Sequence, residues 1–178
     1  MKPLIVGVAF MILLTFFNVF QVDQDTYIRS QSLVKILADD AAAGGGLFFE
    51  EASYGSGLKT YDKVKSESMI KALILKNMKL DPDRTPLEPN AWTGKVNYYC
   101  YYFDDSHKYF KYKNGVFVSQ ENFSYNTLFT EPLTDYKKLI TEPTIIVTIE
   151  TAPPRNRTTW ISWPNIIRSS AYEDLDRK

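Results

Sequence analysis

The chain has 178 residues, 21 of them basic and 21 acidic, with one His, one Cys and 15% aromatic side chains. That size suits one modest domain plus an anchor and excludes a large multidomain enzyme. Balanced charge, with no basic run beyond pairs such as Lys137-Lys138, argues against nucleic acid as a partner.

The first element is apolar throughout. Pro3 to Phe20, PLIVGVAFMILLTFFNVF, is 18 positions without a charge, or roughly 27 Å of helix, close to the hydrocarbon thickness of a bilayer. Leu, Ile, Val, Phe and Met cover every face, so the segment lacks the solvent side of an ordinary core helix. Its exit, Phe17 to Gln21, offers no small residues for signal cleavage. Residues 1–21 are therefore expected to be a single-pass anchor in the cytoplasmic membrane, with membrane lipid as its partner. Lys2 precedes the run, while Asp23 and Asp25 follow it before the first cation, Arg29. Positive charge on the short side places the bulk of the chain outside.

Residues 22–46 read as an amphipathic stalk continuing the same helix. Tyr27, Ser30, Val34, Leu37, Ala38 and Ala41 recur at steps of three and four, with Arg29, Lys35, Asp39 and Asp40 among the rest. Ile28, Leu33 and Ile36 widen the apolar surface, which implies cover on more than one side, by the head or by neighbouring subunits. Gly44, Gly45 and Gly46 are expected to end the helix through left-handed geometry or, equally, to form a close helix-packing surface. Tyr27, Val34, Leu37, Ala38, Ala41 and Gly44 to Gly46 are thus the candidate interaction residues. Leu47, Phe48 and Phe49 would dock the exit into the head.

The head is expected over 47–160. SESMIKALILKNMKL reads as a second helix, capped by Asp62 or Ser66, with Met69, Ile70, Leu73, Ile74 and Met78 on its apolar face and Asp81-Pro82 as its stop. KVNYYCYYFDDSHKYFKYKNGVFV alternates aromatic and polar residues around Asn114-Gly115, a two-residue hairpin signal, with Asp104-Asp105-Ser106 as a second turn. The tyrosines between Tyr98 and Tyr112 are expected on the wet face of a strand pair. TIIVTIETAPP, from Thr144, has the β-branched density of a central strand. The fold class is α+β: a long N-terminal transmembrane and stalk helix, then a small head with one further helix and three to five antiparallel strands. Residues 161–178 read as a polar C-terminal tail, helical or frayed.

Chemistry is hard to place on this chain. His107 sits alone in a charged turn, and Cys100 within NYYCYY reads as a packed strand residue. Asp104-Asp105 and Asp81/Asp83 lack the spacing of a calcium loop, and Gly44 to Gly46 precede no Gly-Lys-Ser/Thr. No cofactor, metal, catalytic group or small-molecule substrate is expected. Asn122-Phe-Ser and Asn156-Arg-Thr are glycosylation triplets that arise often by chance.

An apolar start, an amphipathic extension and a small β-containing head resemble type IV pilin-like proteins. RSQSLVKILADDAAAGGGLFFEE, SESMIKALILKNMKL and EPTIIVTIETAPP are more specifically similar to Tad-type, pilus-related membrane proteins of Gram-positive bacteria. The resemblance implies anchor helices packed together in a filament core with heads outward, and removal of a leader after a small residue, for which Gly7 is the candidate. It also implies an acidic residue in the apolar helix, and here none occurs from Val8 through Gln21. The expected function is a structural subunit of a surface filament or of its assembly machinery. The alternative is a permanently anchored extracytoplasmic scaffold of a secretion, conjugation or pilus machine. In either case the partners are copies of the chain or other components of such a machine.

Overall fold

The computed structural model describes residues 2–88, 92–157 and 161–174. A single helix, α1, runs from Lys2 to Gly45, 44 residues or about 66 Å. After it come the one-turn α2 (Glu51–Gly55) and α3 (Lys63–Asn77). Asp62 caps α3, its side chain accepting from the Lys65 N–H at 3.0 Å. Ser66, the other cap candidate, is instead inside the helix, donating to the Gly45 carbonyl at 2.8 Å. The helix ends before Lys79, whose φ is +53°, so the stop precedes Asp81-Pro82.

Among the described residues seven strands follow: β1 (Asn97–Phe103), β2 (Lys108–Lys113), β3 (Val116–Asn122), β4 (Thr127–Thr130), β5 (Lys137–Ile140), β6 (Thr144–Thr151) and β7 (Ile166–Glu173). Five form an antiparallel sheet ordered β3-β2-β1-β6-β7, and β4 and β5 form a separate ribbon. The class is the α+β arrangement expected, with two more strands and one more helical turn than the sequence suggested. Asn114 (φ +54°) and Gly115 (φ +82°) make the two-residue turn between β2 and β3, the double left-handed geometry that Asn-Gly favours. β6 pairs on both sides, with β1 and β7, and is the central apolar strand anticipated.

The polar tail is a correction. Arg168 to Glu173, part of the RSSAYEDLDRK stretch expected as helical or frayed, belongs to β7, which pairs with β6 from Thr151↔Ile166 to Thr144↔Glu173. Its buried positions include Ser169 and Ser170, which are satisfied by hydrogen bonds rather than hidden by apolarity. The rest of the expected tail, 175–178, lies outside the described residues.

The tyrosine-rich strand is a second correction, because β1 and its neighbour β6 are covered on both faces. Tyr98, Cys100 and Tyr102 of β1 join Ile145, Val147 and Ile149 of β6 in a core under α1 and α3, with Ile70 and Ile74 opposite. Tyr101 and Phe103 point the other way, into a smaller core with Ile140, Ile146 and the half-buried Phe129 and Tyr136. Each fully buried Ile or Val contributes about 1.5–3 kcal/mol relative to exposure.

Candidate interaction surface

The candidate surface is α1, and it divides sharply. From Pro3 through Asn18 every residue is exposed, including Leu4, Ile5, Phe10, Met11, Ile12 and Leu13 at 53–73% of their full area. This is the one helix, among the described residues, long and apolar enough to cross a membrane. Gly7, the candidate processing residue, lies on that bare stretch with nothing within 4 Å of where a Cβ would sit.

The second half is different. Tyr27, Val34, Leu37, Ala38 and Ala41 are all buried, Ala38 and Ala41 completely. What buries them is the chain's own head, since they belong to the same core as Ile70, Ile74 and Val147. Tyr27 stacks on Trp163 with ring centres 4.9 Å apart, and its hydroxyl donates to the Pro164 carbonyl at 3.3 Å. The stripe read from helical spacing is real, and intramolecular packing consumes it.

The glycine run resolves the same way. Gly44 and Gly45 are helical and none of the three has a positive φ, unlike Gly57 and Gly115. A Cβ on Gly44 would lie 2.6 Å from Leu73 Cδ1, one on Gly45 2.6 Å from Ile70 Cδ1, and one on Gly46 inside the Tyr172 ring. The glycines therefore supply space rather than a left-handed cap. They let α3 and β7 close onto the end of α1.

Polar contacts fix the register. The Lys35 ammonium donates to Asp39 at 2.7 Å and to the Ser169 carbonyl at 3.2 Å. Arg168 donates to Gln31 Oε1 at 2.6 Å, and the Ser170 hydroxyl bonds Asp39. Lower down, Asp23 is buried and accepts from the Arg157 backbone N–H at 3.1 Å. The head covers one side only, leaving Ile28, Leu33 and Ile36 at 50–59% exposure. Leu47 is also exposed, while Phe49 stacks on Tyr61 at 4.8 Å, so only part of the Leu47 to Phe49 trio docks.

The groups considered for chemistry have structural employment. Asp104 is buried and pairs with Lys63 at 2.9 Å, while Asp105 accepts from the Lys59 N–H at 2.7 Å and the Tyr125 hydroxyl at 2.6 Å. Asp81 accepts from the Thr85 N–H at 2.7 Å. His107 occupies the Asp104–His107 turn at φ +55°. Cys100 is buried, and desolvation, then the neighbouring Glu67, pushes its thiol well above the ordinary range. Among the described residues, no three His, Cys, Asp or Glu side chains are grouped to hold a metal ion.

Glu67 is the titratable group that the spacing of residues did not single out. It lies on the buried side of α3, accepts from the Tyr102 hydroxyl at 2.8 Å, and its second oxygen has no hydrogen-bond partner. Burial raises its pKa, and the Tyr102 bond offsets part of that.

No family model matches the chain, and neither a curated protein nor a solved structure matches it.

Proposed function

We propose that the chain is a non-catalytic, membrane-anchored structural subunit, pilin-like in plan. It would join a cell-surface filament, or the machinery that builds one, through the bare half of α1, with its head outside the cytoplasmic membrane. The observation that carries this reading is the division of α1 into an all-round apolar, exposed half and a half that belongs to the head's core. A helix apolar on every face is stable in lipid or in a bundle of equivalent helices. A head that carries its own half of the helix can pass from one surrounding to the other without refolding. The resemblance to Tad-type pilus proteins points in the same direction. Gly44 to Gly46 and the Tyr27–Ala41 stripe would then serve the subunit internally, and contacts between copies would fall to residues 8–18, ahead of the half-buried Val19 and Phe20.

A second reading, the permanently anchored scaffold, is favoured by one feature. The apolar half has no acidic residue from Val8 through Gln21, and the first one, Asp23, is engaged by the head. Cysteines introduced singly at Val8, Ile12 and Ala38 separate the two. The filament reading expects oxidative crosslinks between copies at Val8 and Ile12 but not at Ala38, in material released by shearing whose N-terminus follows Gly7. Uncrosslinked chains with Met1 intact, found only in membranes, would overturn it in favour of the scaffold.

A further inference from the structure

The described parts of the β6–β7 connection, 152–157 and 161–165, approach α1 near the end of its apolar run. Asp23 binds the Arg157 N–H, and Asp23 is three residues beyond Phe20, about 4.5 Å along the helix. Trp163 stacks on both Phe20 and Tyr27, at 6.1 and 4.9 Å between ring centres. Arg157, Trp163 and Pro164 of this connection therefore sit level with the first turns of α1 beyond its apolar run. Each headgroup layer is about 5–8 Å thick, so these residues fall within it when the anchor spans the bilayer.

Their chemistry suits that depth. Arg155 and Arg157 are exposed, and Trp163 is half-buried against the helix. Beside Arg155 and Trp163 is an open depression of about 290 Å³ whose wall also includes Thr93, Pro153, Pro154 and Asn156. Guanidinium groups match phosphate oxygens, and a tryptophan beside an apolar helix exit is the usual occupant of the membrane–water boundary. Two carboxylates share this level, Asp23 buried against the Arg157 N–H and Asp25 exposed, so the positive charge is local to the exposed arginines of the loop.

We propose that residues 152–157 and 161–165 form a docking surface for anionic phospholipid headgroups, with Arg155 and Arg157 on the phosphates and Trp163 at the hydrocarbon boundary. The proposal rests on the membrane-span reading of residues 3–20 and adds a lipid preference to it. Head and bilayer are then joined twice, by the anchor and by the collar around its exit, which fixes the head's tilt.

Amide exchange on the full chain in nanodiscs tests this. In discs containing phosphatidylglycerol, exchange at the Arg155, Asn156 and Arg157 amides is expected to be about tenfold slower than in phosphatidylcholine discs, within the range for two basic residues at an anionic surface. High salt should erase the difference, as should R155E/R157E, whereas R155K/R157K should keep part of it. Unchanged exchange in β6 and β7 reports that each variant is folded; if R155E/R157E is not, the lysine variant and the salt series still decide. Equal exchange in the two lipids, with the chain retained in both discs, would overturn the collar and leave the anchor standing. The same slowing by inorganic phosphate in phosphatidylcholine discs would overturn the assignment to lipid. Loss of the chain from the discs would overturn the anchor and the collar together.

Discussion

The two halves of α1 share one backbone and little else. Residues 3–18 are exposed and almost wholly apolar, and residues 27–45 are a helix built into the head's core, complete with a partner sheet, a crossing helix and polar ties. The comparison teaches that apolarity alone does not mark a contact surface. In the second half small residues and periodic spacing were spent on the head, and in the first half sheer hydrophobicity remains unspent.

The largest expected effect comes from placing a carboxylate on each half. Ala38→Asp puts a charge where exposure is zero and should cost several kcal/mol, about 3–5, enough to abolish the thermal transition of the head. Leu33→Asp, five residues earlier but 59% exposed, should leave that transition within about 0.5 kcal/mol. Leu13→Asp should reverse the pattern, sparing the melt while weakening membrane retention by about 3 kcal/mol. A loss of head stability in Leu13→Asp would break the division.

A smaller effect is expected from one methyl group. Gly45→Ala forces Ile70, which is fully buried, to move, and overpacking of this kind costs about 1–3 kcal/mol. Gly7→Ala meets nothing within 4 Å and should leave the denaturation midpoint unchanged.

Asp23→Ala comes next. It removes the acceptor for the Arg157 N–H and should cost about 1 kcal/mol. Faster amide exchange confined to residues 155–157 would check it.

The last effect is a pH dependence that only the packed region can show. Glu67 titrates higher in the folded chain than in the unfolded one because it is buried. The folded state therefore holds its proton more tightly, and its contribution is complete below the unfolded carboxyl range and lost as pH rises through the folded value. Glu67→Gln should flatten stability over that window relative to the native chain. Glu173, held low by Lys138 and Thr141 despite its burial, works in the opposite direction and is unchanged in both, so the difference isolates Glu67.

Much of this was legible in the residues, for identifiable reasons. Helical spacing announces that Val34, Leu37, Ala38 and Ala41 are buried, but period says nothing about what buries them, and a self-interface was as consistent as a head. Three glycines after a helix usually mean a left-handed cap; here side chains from α3 and β7 claim the space, and only tertiary packing reveals that. Asn114-Gly115 and the β-branched run of β6 are local signals, and both hold. β7 escaped notice because Arg168, Ser169 and Ser170 look like surface, while Ser169 bonds both Thr148 and Thr134 at 2.8 Å and turns a polar strand into a buried one. The four-residue β4 and β5 are too short for alternation to stand out, and without them nothing in the sequence covers the outer face of Tyr101.

The central claim is that α1 changes surroundings near residue 20, and nitroxide scanning along the helix of the reconstituted full chain measures it most directly. Labels at Leu4, Val8 and Ile12 should relax with lipid-dissolved oxygen, labels at Leu33 and Ile36 with a water-soluble nickel reagent, and labels at Val34 and Ala41 with neither. Water-soluble reagent reaching Val8 and Ile12, or reaching Val34 as readily as Leu33, would contradict the account.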